Sequence, residues 1–156
     1  IEERKPKRID REIAMGAQKW VDVNRYATSK ECINELRAQG YQIVATSPYG
    51  DSTELKDFDI KKPSAIFFGT EKDGLSEEIL EQADCRIRIP MVGFTESLNI
   101  SVSAAIILQH ITSELKSSEI SWELPEDEKE NLKFEWLKKC IKNSESIIAQ
   151  YNLENP

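Results

Sequence analysis

Ser64-Ala65-Ile66-Phe67-Phe68-Gly69 is a continuous apolar run closed by a glycine. A strand of that kind is buried on both faces, which points to a parallel sheet covered by helices. Upstream, Tyr41-Gln42-Ile43-Val44-Ala45-Thr46 reads as the preceding strand, and Ser29 to Gln39 as an amphipathic helix. That helix puts Cys32, Ile33 and Leu36 on one face, takes Thr28 or Ser29 as its cap and stops at Gly40. Lys19-Trp20-Val21-Asp22-Val23 reads as a short strand, and Ser47 to Lys62 as a polar connection with Pro48 and Gly50. Downstream come a short helix from about Ser76 to Gln82, a strand Arg86-Ile87-Arg88-Ile89 closed by Pro90, and an apolar helix from Asn99 to Leu115. Apolar residues cover most of that last helix, which is expected to lie inside the molecule. One further helix is expected from Pro125 to Tyr151. Alternation of strands and helices predicts an α/β fold with a mostly parallel sheet flanked by helices.

Composition sets the outer limits. The chain has 156 residues, 39% hydrophobic and 31% charged, so it can bury a core and is neither collagen-like, disulfide-built nor disordered throughout. No stretch approaches the roughly 18 apolar residues of a membrane span. Three widely spaced cysteines without a C-x-x-C pair read as a reduced cytoplasmic protein lacking structural zinc. The net charge of −7 argues against a broad nucleic-acid surface. Its distribution is uneven, however: residues 1–40 carry nine Lys and Arg against seven Asp and Glu.

Several chemistries are excluded. The six glycines form no G-x-G-x-x-G and no G-x-x-x-x-G-K-[ST], so neither the dinucleotide fingerprint nor the phosphate loop is present. His110 is the only histidine, so a histidine metal cluster cannot be built and no metal is expected.

Two loops remain, each at the carboxyl end of a strand, where open α/β sheets bind ligands. They are Phe68-Gly69-Thr70-Glu71-Lys72-Asp73-Gly74-Leu75-Ser76, and Ile89-Pro90-Met91-Val92-Gly93-Phe94-Thr95-Glu96-Ser97-Leu98-Asn99-Ile100-Ser101. Their glycines, serines and asparagine could simply turn the chain and cap helices, or could offer backbone groups to a ligand.

These two segments resemble motifs 2 and 3 of the SPOUT class of RNA methyltransferases, in the SpoU/TrmH branch. The match is Gly69-Thr70-Glu71-Lys72-Asp73-Gly74-Leu75, then Ile89-Pro90-Met91-Val92-Gly93 with Ser97-Leu98-Asn99-Ile100-Ser101-Val102. The likeness spans about residues 8–116 and, more loosely, Leu124 to Trp136. Within the branch it is greatest to the TrmH enzymes that methylate the ribose of guanosine 18 in the tRNA D-loop.

The resemblance implies a trefoil knot at the carboxyl end of the domain, a homodimer through the knot region, and S-adenosylmethionine bound in the knot as cofactor. It implies 2′-O-methylation of a ribose in tRNA, with no membrane partner. By position it assigns Glu71, Ser97 and Asn99 to the catalytic site. Thr46, Gly69, Ile89, Met91 and Leu98 are assigned to the backbone cradle of the cofactor. Residues 1–118 then form the methyltransferase domain and 119–156 a helical extension. Family motif 1, with its catalytic arginine, has no counterpart in this sequence; Arg4, Arg8 and Arg11 do not match it. The chain, opening at Ile1, is therefore expected to be part of a longer enzyme.

Two alternatives stay open on the sequence: a relative acting on ribosomal RNA or the tRNA wobble nucleotide, and a non-catalytic dimer binding S-adenosylmethionine or RNA. A plain α/β interaction domain is a third. The stripe of Leu132, Trp136, Leu137 and Cys140, flanked by Lys133, Lys138 and Lys139, could dock on its own domain, a partner subunit or tRNA.

Overall fold

The computed structural model describes residues 16–155. Arg4, Arg8 and Arg11 lie outside the described residues. Two compact units emerge, residues 26–122 and residues 16–25 with 123–155.

The first unit is built on four strands, β1 (Gln42–Thr46), β2 (Thr53–Glu54), β3 (Ser64–Phe67) and β4 (Cys85–Arg88), all parallel, in the order β2-β4-β1-β3. Its helices are α1 (Ser29–Ala38), α2 (Glu77–Gln82) and α3 (Ile100–Ser117). The two-residue period of the strands sorts their side chains into two cores. Ile43 and Ala65 point to one face, where Ile33 of α1 and Ile79 of α2 cover them. Val44, Ile66 and Ile87 point to the other, where Leu55 and Ile107 of α3 cover them.

The expected parallel α/β layering is therefore present. The apolar run that suggested it, β3, ends one side of the sheet, and its residues are half-buried. Full burial falls to the two interior strands, at Ile43, Val44 and Ala45 of β1 and Ile87 of β4.

Local chemistry fixes α1 as expected. Thr28 Oγ1 accepts from the Glu31 amide at 3.2 Å. At the other end, Gly40 has φ +86°, and the Tyr41 and Gly40 amides donate back to Leu36 and Arg37 carbonyls, each at 3.0 Å. Glycine is favoured there because a Cβ opposes the left-handed backbone.

Four expectations need correction. Lys19–Val23 is not a strand: Ala17–Lys19 is a short 3-10 turn, and Val21 and Val23 are exposed without a ladder. The connection Ser47–Lys62 contains β2 and a 3-10 turn, Leu55–Asp57, whose Leu55 is buried. The helix expected inside is one-sided: in α3 only Ile107 is buried, while Val102, Ile106 and Leu108 are exposed. Its apolar circumference serves one face in this chain and leaves the other uncovered.

The fourth correction concerns the second unit. Residues 125–151 form not one helix but α4 (Glu126–Cys140) and α5 (Ser144–Glu154), separated where Ile141 is extended and Asn143 is left-handed, φ 61°. Trp136 of α4 packs edge-on against Trp20, ring centroids 5.3 Å apart, so its stripe is used at least partly within its own unit. Two of the three neighbouring cations are occupied as well: Lys138 pairs with Glu135 at 2.9 Å and Lys139 lies 3.9 Å from Asp22. Among the described residues no helix is long and apolar enough to cross a membrane.

Candidate active site

Beyond the carboxyl ends of β1, β3 and β4, three loops surround a cavity of about 710 Å³ within the first unit. That volume suits a small-molecule ligand. Its floor is apolar, with Leu75, Leu80, Ile87 and Ile107, and its rim is polar. All eight residues singled out by the resemblance line it: Glu71, Ser97 and Asn99, with Thr46, Gly69, Ile89, Met91 and Leu98.

The loop after β3 is closed on itself. Thr70 and Gly74 exchange backbone hydrogen bonds at 2.9 and 3.0 Å, and Thr70 Oγ1 accepts from the Asp73 amide at 3.0 Å. Gly69 must be glycine for this closure. A Cβ there would sit 2.1 Å from the Gly74 carbonyl carbon and 2.4 Å from the Leu75 nitrogen. Such distances leave no room for a side chain.

The loop after β4, by contrast, has no regular structure from Ile89 to Asn99. Among the described residues, backbone groups of 91–98 make no hydrogen bond outside regular elements, which leaves amides and carbonyls available to a ligand. Asn99 ends this loop and caps α3, its Oδ1 accepting from the Ser101 amide at 2.9 Å. The same amide group donates from Nδ2 to Glu71 Oε1 at 3.0 Å, joining the two loops.

The loop after β1 is anchored by Thr46, whose hydroxyl donates to the Phe67 carbonyl at 2.9 Å. It then delivers Tyr49, whose hydroxyl donates to Glu96 Oε2 at 2.5 Å. Glu96 holds the phenol proton and raises the Tyr49 pKa above its ordinary value. Arg88 of the cavity wall is held from behind by Glu54, which accepts from Lys56 at 3.1 Å and from Arg88 at 3.3 Å, and these bonds hold the Glu54 carboxyl below its ordinary value.

Sequence reasoning missed Tyr49, Glu96, Arg88 and Lys72 on the cavity wall. Lys72 and Glu96 lay inside the two loops already quoted. Tyr49 gave only a weak signal, an aromatic between Pro48 and Gly50 in a segment read as a connection.

The SpoU rRNA Methylase family model matches residues 3–109, about two thirds of the chain. The chain belongs to the SpoU methylase family. Among relatives of this SpoU chain, the tRNA (guanosine(18)-2′-O)-methyltransferase of Borreliella burgdorferi is 40% identical over 94% of the chain and 67% of its own length. A crystal structure of the Aquifex aeolicus TrmH/SpoU tRNA modifying enzyme superposes with TM-score 0.73 at 35% identity, over 88% of this chain and 72% of that one. The SpoU methyltransferase AviRb from Streptomyces viridochromogenes, solved in complex with the cofactor AdoMet, matches with TM-score 0.55 at 28% identity, over 59% of this chain and 38% of that one. This SpoU chain spans between half and two thirds of the length of the tRNA (guanosine(18)-2′-O)-methyltransferases it matches. The resemblance read from Gly69–Leu75 and Ile89–Val102 therefore holds at the level of family and α/β fold.

Proposed function

We propose that the chain is an S-adenosylmethionine-dependent tRNA ribose 2′-O-methyltransferase, acting on guanosine 18 of the D-loop. The observation that carries this reading is the Asn99–Glu71 hydrogen bond, which ties both motif loops around one cavity. Relatives named for that reaction match most of the chain, which supports the choice over ribosomal or wobble-nucleotide targets.

The residues fit the cofactor. Backbone groups around Ile89, Met91 and Leu98 can pair with an adenine edge, and the apolar floor can take its uncharged parts. When bound, S-adenosylmethionine supplies the electrophilic methyl group. The chain's own residues must then orient a ribose hydroxyl and accept its proton, since an alcohol is a weak nucleophile. Glu71 and Ser97 stand on the rim where such a hydroxyl can be held, and Asn99 fixes the Glu71 carboxylate. Positioning of this kind can supply several kcal/mol of the barrier.

The finer architecture belongs to the same proposal. The exposed face of α3, at Val102, Ile106 and Leu108, is the surface offered to a second copy in a homodimer. The trefoil knot and the division into 1–118 and 119–156 follow from the resemblance, and the cytoplasmic setting from the three cysteines without a C-x-x-C pair.

Methyl transfer from labelled S-adenosylmethionine to unmodified tRNA, with mapping of the methylated ribose, tests the reading. Label at guanosine 18 is expected. Label only in ribosomal RNA, or donor binding without transfer, would overturn it. Sedimentation tests the dimer, with a mass of two chains expected.

A further inference from the structure

Two side-chain hydrogen bonds tie the loops of the cavity, and only the Asn99–Glu71 bond has a place in the reaction above. The second, Tyr49 to Glu96 at 2.5 Å, joins the loops after β1 and β4 on the same rim. Tyr49 is 64% exposed, and Glu96 is exposed and forms no salt bridge among the described residues. The hydrogen bond raises the phenol's pKa, so the proton stays on tyrosine and Tyr49 is the donor. Oε2 thereby accepts one bond, which orients the carboxylate and leaves a second lone pair on that oxygen, while Oε1 is committed to nothing in the hydrogen bonds of this chain, so both oxygens can take an N–H. Glu71 is oriented in the same way, its Oε1 accepting from Asn99, and it already has a place in the proposed reaction.

An oriented carboxylate offers acceptors and no donor, so it selects a ligand edge made of N–H groups. Unstacked RNA bases are read on their Watson–Crick edges. Guanine presents two adjacent donors there, the ring N1–H and the exocyclic amine. Adenine and cytosine pair one amine with a ring acceptor, which would face a carboxylate oxygen. Uracil has one N–H between two carbonyls. The chemistry on the rim therefore favours guanine.

We infer that Glu96 reads the Watson–Crick edge of the guanine whose ribose enters the cavity, with Tyr49 as the positioning residue that orients the carboxylate. The inference rests on the proposed methyltransferase activity and deepens it by naming the group that selects the base.

The test uses the whole chain with two tRNA transcripts, carrying guanosine or inosine at the target nucleotide. Inosine lacks only the exocyclic amine. Rates at subsaturating RNA give the ratio of kcat/KM, and calorimetry with S-adenosylmethionine checks each variant's folding. The unaltered chain is expected to favour guanosine by roughly tenfold, the scale of one hydrogen bond to a charged group. Glu96→Ala should slow guanosine transfer and bring the ratio near one, and Tyr49→Phe should narrow it less, both with donor affinity kept. A Glu96→Ala ratio equal to that of the unaltered chain would overturn the inference. If Glu96→Ala no longer binds the donor, Tyr49→Phe decides, and an unchanged ratio there overturns it. An unaltered chain methylating both transcripts equally overturns this inference alone. One that binds the donor and methylates neither overturns the proposed function beneath it.

Discussion

Asn99 serves two segments with one side chain: its Oδ1 caps α3 at the Ser101 amide, and its Nδ2 reaches Glu71 across the cavity. The two roles separate by substitution. Asn99→Asp keeps an acceptor for the cap but sets a second carboxylate against Glu71. Asn99→Ala loses both bonds, and loss of a cap alone costs about 1 kcal/mol. Urea denaturation should show that cost in Asn99→Ala and a smaller one in Asn99→Asp. Calorimetry with S-adenosylmethionine should show weakened binding in both. Full donor affinity in Asn99→Asp would mean that the bond between the loops does not shape the site.

Two glycines in one loop should respond differently to the same change. At Gly69 a methyl group meets the backbone of Gly74 and Leu75, so the turn must open. Forcing atoms into a closed space costs about 1–3 kcal/mol. At Gly74 nothing lies within 4 Å of a Cβ, and only its φ of +71° resists a side chain. That strain is about 1–2 kcal/mol. Gly69→Ala should therefore lose hydrogen-exchange protection at the Thr70 and Gly74 amides, whereas Gly74→Ala keeps it. Equal protection in the two variants would contradict the close approach at Gly69.

Both glycines sit where sequence reading was strongest, and the reason is physical. Motif positions such as Gly69, Glu71 and Asn99 are set by short-range backbone demands that a linear string can display. So are the β1 and β3 strands, whose apolar runs leave a periodic trace. Tertiary facts left none. The two-residue strand Thr53–Glu54 is too short for periodicity and exists because β4 offers it a ladder. Val21 and Val23 carry strand propensity but find no partner, so propensity yields to context. The exposed face of α3 could not be read either, because an apolar stripe covered by the same chain and one left for another molecule are spelled alike. Tyr49 meets Glu96 across 47 positions of sequence, a juxtaposition only the loop packing provides.

Acid should act beside the cavity through Glu54, the partner of Arg88. Its hydrogen bonds from Lys56 and then Arg88 favour the charged form in the folded chain and lower its pKa from the ordinary 4.5. Stability from this group is present above that ordinary value and is lost as pH falls through the lowered folded one. Glu54→Gln should flatten this part of the acid limb, narrowing the difference from the unaltered chain between pH 7 and pH 3. Denaturation midpoints across that range would show it. An unchanged slope would mean that the group's contacts do not persist in solution. Because Glu54 also fixes Arg88, the substitution should loosen one cation on the cavity wall without touching its floor.

The break between α4 and α5 can be assigned to a single backbone position. Glu126 to Glu154 has helix-favouring composition almost throughout, yet Ile141 leaves the helix and Asn143 adopts φ 61°, ψ 27°. The Asn143 carbonyl then accepts from the Ser146 and Ile147 amides at 3.1 and 3.2 Å, starting α5, and Ser144 Oγ donates to the Lys138 carbonyl at 2.9 Å, closing α4. The Asn143 side chain makes no cap bond, so its contribution is tolerance of the left-handed region. Asn143→Gly and Asn143→Ala remove the same amide and differ chiefly in that tolerance. Alanine should cost about 1 kcal/mol more than glycine by urea denaturation, with faster hydrogen exchange in the first turn of α5. Equal stability of the two would show that the chain breaks here for a reason other than the conformation of residue 143.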